Sequence, residues 1–306
     1  MCLSTSTATA SEMRKPVALL TRLRKKYSLF WDAVNGEIQR GVSPDVVDMH
    51  VLTKAQQRKE KLEPEILRKS LSGVQIKRYQ PWKSDQYIIY VTTEAEFAGN
   101  PRAARYIRKF RHLNTCEEVE GKKHPWWRVH RPRKPEIFDS PNFIGLTTNK
   151  TIELVYDEKD SLYVTDAMCV FALKQHIDPW AALAVLQSKL FLFLYRVTNQ
   201  GESRVIPQVK AAKLGGLPFP NLAESKLTGT LSDLAKRMCA LKEQLASERA
   251  EHIRNELQRQ ITSMDAEIER LVNALYGLTE AECKLVDSME VKLLGMDQEQ
   301  NELAFT

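Results

Sequence analysis

Pro125 to Phe138 reads "PWWRVHRPRKPEIF", which puts two tryptophans, a histidine and four cations within fourteen residues broken by three prolines. Each residue type here has a definite chemistry. An arginine can grip a phosphate, or the O6 and N7 edge of a guanine, through two parallel hydrogen bonds. Prolines 125, 132 and 135 restrict the backbone on both sides, so the cations between them lose less freedom when they bind. The plainer reading pairs Arg131 and Arg133 with local carboxylates such as Glu136, which would only pin the loop.

The helix expected over "GNPRAARYIRKFRHLN" extends the cationic theme. Asn100 can cap it, and Pro101 suits its first turn. Ala104, Ile107, Phe110 and Leu113 form an apolar stripe, while Arg102, Arg105, Arg108, Lys109 and Arg111 lie opposite with no acid among them. Such a face can hold phosphates or simply be solvated. The formal charge of the 306 residues is +6, unevenly spread: after residue 222 there are 10 Lys and Arg against 16 Asp and Glu, leaving 35 against 23 before it. A basic body with an acidic tail section favours a polyanion partner.

Other chemistries lack their residues. The five cysteines, at 2, 116, 169, 239 and 283, are odd in number and no two lie within four positions. Neither a disulfide framework nor a zinc site is expected from that spacing, and no metal is assigned. The six histidines are dispersed. No Walker loop, His-Glu-x-x-His, Gly-x-Ser-x-Gly or Asn-Pro-Pro-Tyr motif occurs. Asp157-Glu158-Lys159-Asp160 has the residue types of a nuclease metal site but reads as a turn between strands. No catalytic residue is assigned, and a binding module is expected. No run of eighteen apolar residues exists, so the expected location is cytoplasmic, with no membrane contact.

The elements that must position these residues are of mixed kind. Residues 1–13, rich in Ser and Thr, are expected to be disordered. A short amphipathic helix is expected over Val17–Phe30, and a helical piece ending near Ser72-Gly73. Strands follow at Gln86–Thr92 and in "NFIGLTT", "TIELVYD" and "SLYVTD", with antiparallel pairing implied by the turns between them. "DPWAALAVLQSKLFLFLYRV", with Asp178 as cap, predicts one buried apolar helix of about eighteen residues. Beyond Leu222 the spacing becomes heptad-like: Leu231, Leu234, Met238, Leu241 and Leu245, then Leu257, Ile261, Met264, Ile268, Leu271 and Leu275. The register slips at "SERAEH", as a stutter or the turn of a helical hairpin. Leu234, Leu241, Leu245, Leu257, Ile261 and Ile268 are the candidates for helix pairing, within the chain or with a partner. Gly277 and the capping box "TEAE" from Thr279 open a last short helix.

Five stretches in order, "ILRKSLSGVQIKRYQPWKSDQYIIY", "WWRVHRPRKPEIFDSPNFIGLTT", "LAVLQSKLFLFLY", "GGLPFP" and "ITSMDAEIERLVNALYGLTEAE", resemble the TaqI-like C-terminal specificity domain. That is the target-recognition part of adenine-specific DNA methyltransferases and of type IIG restriction–modification enzymes. The resemblance covers roughly residues 17–286. It implies an α+β fold, a mixed or antiparallel-sheet recognition domain over 14–222 followed by long helices over 223–306. It also implies a double-stranded DNA partner, and that the aromatic–basic segment leads into a core strand, so that Trp126 and Trp127 point opposite ways, one inward and one outward, and Arg128 and His130 share a face. The contacts expected are Arg128, His130, Arg131, Arg133 and Lys134, then Lys77, Arg78 and Lys150, with Arg105 and Arg108 from the basic helix. The family's cofactor and Asn-Pro-Pro-Tyr motifs are missing, so no cofactor is expected in this chain; the expected protein partner is a separately encoded adenine methyltransferase, which would bind S-adenosylmethionine, or an endonuclease subunit. The alternatives are the C-terminal remnant of a split type IIG enzyme, a scaffold that pairs through its helices without touching DNA, or an RNA binder that stacks bases on exposed aromatics.

Overall fold

The computed structural model describes residues 14–147, 151–199 and 210–288. The expectation for residues 1–13 therefore lies outside the described residues. In chain order the principal elements are α1 (Arg14–Lys26), β1 (Val34–Arg40), β2 (Val51–Thr53), β3 (Leu67–Ser70), β4 (Gln86–Ile89), α2 (Glu94–Gly99) and α3 (Pro101–Arg108). Then come β5 (Asn142–Leu146), β6 (Leu154–Asp157), β7 (Met168–Leu173), α4 (Pro179–Leu186), α5 (Lys189–Thr198), α6 (Thr228–Ser247) and α7 (Glu251–Leu275). The fold is α+β with antiparallel sheets and long C-terminal helices. Two compact units make it up, one over 34–173 and the other from the described parts of 14–33, 174–199 and 210–288. The change in composition at residue 222 is not a boundary between them: α6 packs on both α4 and α7, inside the helical unit.

The 34–173 unit holds two antiparallel sheets, ordered β1-β7-β5-β6 and β2-β4-β3. β5, β6 and β7 are nearly continuous apolar runs because both faces are covered, as their burial shows. Phe138, Ile144, Val155, Leu162, Val164 and Val170 share one core cluster, and Leu52, Ile89, Phe97, Ile107 and Trp127 share another. The strand expected over "SLYVTD" is instead an irregular segment with a single bridge, Thr165 to Val42. The third strand of the run is β7, beginning at Met168. β1 and β2 carry no clear alternating pattern and were not legible. The helical piece expected before Ser72 is β3, because pairing with β4 overrides the helix propensity of Leu-Arg-Lys.

The acidic turn Asp157–Asp160 is a structural clamp. Asp157 is 1% exposed, and its carboxylate accepts from the backbone N–H groups of Lys159 (3.3 Å), Asp160 (2.8 Å) and Leu162 (2.7 Å). Asp160 in turn pairs with Lys69 at 2.7 Å.

In the helical unit α1 stops at Lys26, short of the expected Phe30, so that Ser28–Leu29 can pair with Pro218–Phe219. Phe30 then packs among Phe191 and Phe219. The single apolar helix expected from Pro179 is two helices, α4 and α5, bent by 58°. Ser188 causes the break: its hydroxyl accepts from Phe191 N, while the buried Glu269 carboxylate accepts from Lys189 N at 3.0 and 3.1 Å. Among the described residues no single helix is long and apolar enough to cross a membrane. The "SERAEH" slip is the turn of a helical hairpin between α6 and α7. Leu257, Ile261 and Ile268 are buried, while Leu234, Leu241 and Leu245 are half-buried. Gly277 is left-handed (φ 60°), and the capping box forms, with Thr279 N to Glu282 at 2.8 Å. Glu282 also receives a two-pronged bond from Arg22 of α1.

The Asp157 clamp gives the first expected outcome. Asp157→Ala leaves three backbone donors without their acceptor and should destabilise the protein by about 2–4 kcal/mol in urea unfolding. Glu158→Ala, on the exposed neighbour, should stay within about 0.5 kcal/mol.

Candidate nucleic-acid interface

The site is built on the five residues that leave β1, Gly41 to Asp45. Gly41 N donates to Met168 O, Val42 N to Val164 O (2.8 Å), and Asp166 N to Val42 O (2.9 Å). Only glycine fits at 41, since a Cβ there would lie 2.1 Å from the Val164 carbonyl oxygen. Ser43 exchanges two backbone bonds with Arg131, each 3.1 Å, and its hydroxyl donates to Asp166 at 2.7 Å. The 125–138 stretch is thereby hung on the 41–45 segment. It is a loop with one bridge that runs into a single helical turn at Glu136–Asp139, not the start of a strand as expected, so alternation does not set its side-chain directions.

Each anchor of the loop is identifiable. Val129 is buried and its N–H donates to Val91 O. The Tyr90 hydroxyl donates to the carbonyls of Pro132 (3.1 Å) and Arg133 (3.0 Å), and burial pushes this phenol up to about 12, so it stays protonated as the donor. Arg133 is left-handed (φ 64°) and its Nε donates back to Gly41 O at 3.1 Å. Phe138 closes the loop in the core at 0% exposure. The tryptophans do divide as expected. Trp127 is buried and stacked on Phe97 at 4.8 Å, while Trp126 is half-buried under the Arg111 guanidinium.

The candidate contacts fare differently. Arg131 and Lys134 are exposed on the anchored loop. Arg128 is half-buried, and its Nε is buried without a hydrogen-bond partner. Arg133 braces the loop through Gly41 rather than through Glu136. His130 has both ring nitrogens engaged, Nδ1 with Asp45 and Nε2 with Glu118, each at 2.8 Å. It is held within the loop's own framework rather than presented outward. The bond from His130, and secondarily its charge and that of Arg131, holds the Glu118 carboxyl below its ordinary range.

The basic helix is shorter than expected, since α3 ends at Arg108 and Lys109 and Arg111 lie beyond it, and the five cations are not uniformly free. Lys109 pairs with Glu60 at 2.8 Å, and Arg102 donates to Lys61 O. Arg108 and Arg111 lie over the Phe97 and Trp126 rings. Arg105 is exposed. The apolar stripe is buried at Ala104 and Ile107 but reaches solvent at Leu113, and Asn100 bonds Glu96 O instead of capping α3. The N-terminus of α3 is satisfied from outside: Glu63 accepts from the N–H groups of Arg102 and Ala103. Lys77 reaches Glu153 at 4.0 Å and Arg78 lies over Tyr79. Lys150 is outside the described residues.

Next to His130 the structure assembles a group that the spacing did not reveal. Asp45, Cys116, His124 and His130 bring one ligand-capable atom each to within 4.8 Å of one another. The two imidazoles are stacked, 4.5 Å apart and 12° from parallel. Cys116, His124 and His130 fall within fifteen residues, which is the signal available in sequence; Asp45 lies 71 positions earlier and carries none.

Comparison with known proteins fits this framework. Residues 68–219 match the TaqI-like C-terminal specificity domain. No curated protein matches the chain. Among solved structures the chain is similar to the type IIL restriction-modification enzyme MmeI in complex with DNA, at 11% identity and a TM-score of 0.55 over 83% of this chain and 36% of that one. The type IIG restriction endonuclease BpuSI is also similar, at 13% identity and a TM-score of 0.48 over 87% and 33%. The chain spans about a third of the length of these enzymes, and the likeness to MmeI is one of fold. By the family match, residues 68–219 are similar to specificity domains of the TaqI-like kind.

The Tyr90 anchor is testable by itself. Tyr90→Phe removes the donor to two loop carbonyls and should lower stability by about 1–2 kcal/mol in denaturant. Faster hydrogen exchange should be confined to 129–138.

Proposed function

We propose that this chain reads a short sequence in double-stranded DNA and delivers a separately encoded adenine-N6 methyltransferase to it, without catalysing methyl transfer itself. The observation that carries the proposal is the specificity-domain match, which includes the rigidly anchored loop bearing Arg131 and Lys134. A loop fixed before binding suits readout, because little conformational freedom remains to be lost. Phosphate contacts would position the protein and a small number of base-edge contacts would specify the site. Arg131 and Lys134 are assigned the foremost contacts, with the half-buried Arg128 beside them in sequence and Arg105 acting from α3. Lys77, Arg78, Arg108 and Lys150 are secondary positions, and His130 and Arg133 hold the loop's shape. The methyltransferase would supply the S-adenosylmethionine pocket and the flipped-base chemistry. The half-buried edge of α6, at Leu234, Leu241 and Leu245, offers it an apolar docking line.

A titration of the purified chain with duplex DNA at two salt concentrations, with and without that methyltransferase, tests the reading. Affinity should fall steeply with salt and become sequence-selective when the partner is present. Arg131→Ala should cost about 1–3 kcal/mol and relax preference at one position if it reads a base; Lys134→Ala should weaken all sequences alike and flatten the salt slope by about 1. Absence of duplex binding in every condition refutes the proposal. A preference for single strands would point to RNA instead.

A further inference from the structure

The Asp45, Cys116, His124 and His130 group has more metal-binding character than an ordinary polar cluster. Its Asp45 carboxylate is 5% exposed and faces both imidazoles, His130 Nδ1 at 2.8 Å and His124 Nε2 at 3.1 Å. The His124 side chain is 4% exposed. Its Nε2 lies off the line a hydrogen bond to Asp45 needs, and both of its ring nitrogens lack a hydrogen-bond partner. A buried imidazole with two unmatched nitrogens is costly unless something else satisfies it. The Cys116 sulfur lies within 4.8 Å of the ligand atoms of the other three.

We infer that these four residues form a structural site for a divalent transition ion, zinc foremost. The donor set is one sulfur, two nitrogens and one carboxylate oxygen, the mixture that a four-coordinate zinc accepts. Its charge balances: one thiolate and one carboxylate offset the dication, and both imidazoles bind neutral. Binding releases the Cys116 thiol proton, and any proton shared between Asp45 and the imidazoles, to solvent. Bond lengths of about 2.0–2.3 Å put tetrahedral ligand atoms roughly 3.3–3.7 Å apart. The four atoms already lie within 4.8 Å of one another, so side-chain rotation alone closes the site.

The outer partners are also in place. His130 presents Nε2 to Glu118 at 2.8 Å, which favours the tautomer whose unprotonated Nδ1, now 2.8 Å from Asp45, would ligate the ion. Asn114 donates to Asp45 Oδ2 at 3.3 Å and to Trp126 O at 3.1 Å, while its own oxygen accepts from Cys116 N at 3.2 Å. Asn114 thus orients two of the four ligands. The ion would tie the 41–45 segment to both ends of the 116–130 stretch, and so fix the base of the loop that carries Arg131.

The test is metal analysis of the purified full-length chain, followed by cobalt substitution after stripping with a chelator. About one zinc per chain is expected, together with the visible absorption of tetrahedral cobalt and a sulfur-to-cobalt charge-transfer band. His124→Gln with Cys116→Ala should lower bound metal at least about tenfold, whereas Cys239→Ala should leave it unchanged. Chelation should also lower the melting temperature of the wild-type chain, a readout that needs no variant to fold. A folded wild-type chain that holds no metal and gives only the spectrum of hydrated cobalt overturns the inference. So does metal retained in full by the double variant. Neither readout involves DNA.

Discussion

Much of the 34–173 unit depends on the way the chain leaves β1. The first three residues of that exit, Gly41 to Ser43, are pinned between Val164–Met168 on one side and Arg131 on the other by backbone hydrogen bonds of 2.8–3.1 Å. Because the Val164 carbonyl occupies the space of a Cβ at position 41, the two strands of chain approach more closely than side chains would allow. That approach gives Arg133 a carbonyl to bond. It also brings Ser43 onto Asp166 and aims Asp45 at two histidines. An irregular loop is thereby given as many fixed points as a strand would have, without becoming one.

The helical unit solves a different problem. An apolar segment from Pro179 to Thr198 would leave backbone groups unsatisfied at its bend, and capping deals with them locally. Ser188 restarts the helix, and the buried Glu269 of α7 accepts the first free N–H of α5. The carboxylate is thus the means by which the C-terminal hairpin registers on the core helices. Tyr276 adds a second registration, its hydroxyl donating to Pro218 O.

Legibility in the sequence followed the range of the interaction that decides each element. Asp178, Gly277 and the Thr279–Glu282 box act within a few residues, and their types alone announced them. β4, β5 and β6 were legible because their apolar and β-branched content matches their burial. β3 and the break at Ser188 were not, since both are settled by partners far along the chain, β4 in one case and Glu269 in the other. The loop at 125–138 was recognisable by composition, and the specificity-domain likeness by the four of the five ordered motifs that fall over 68–219; the fifth, at 261–282, lies outside the match. Which of its cations face outward was not, because Gly41, Tyr90 and Asp45 decide that, and none of them resembles a site residue by itself. His130 read as a DNA contact because its two carboxylate neighbours lie 85 and 12 positions away.

The left-handed turn at Arg133 has a consequence for how such a loop can vary. That conformation disfavours most side chains by roughly 1–2 kcal/mol, and Arg133 holds it while its guanidinium is spent on Gly41 and its carbonyl on Tyr90. Length and path are therefore set by residues outside the loop, whereas the side chains at 131 and 134 are left open to substitution. The interchangeable part is not the continuous stretch from 125 to 138. It is a pair of segments, 41–45 with 125–138, and a transplant of one without the other would carry the residues but not their positions.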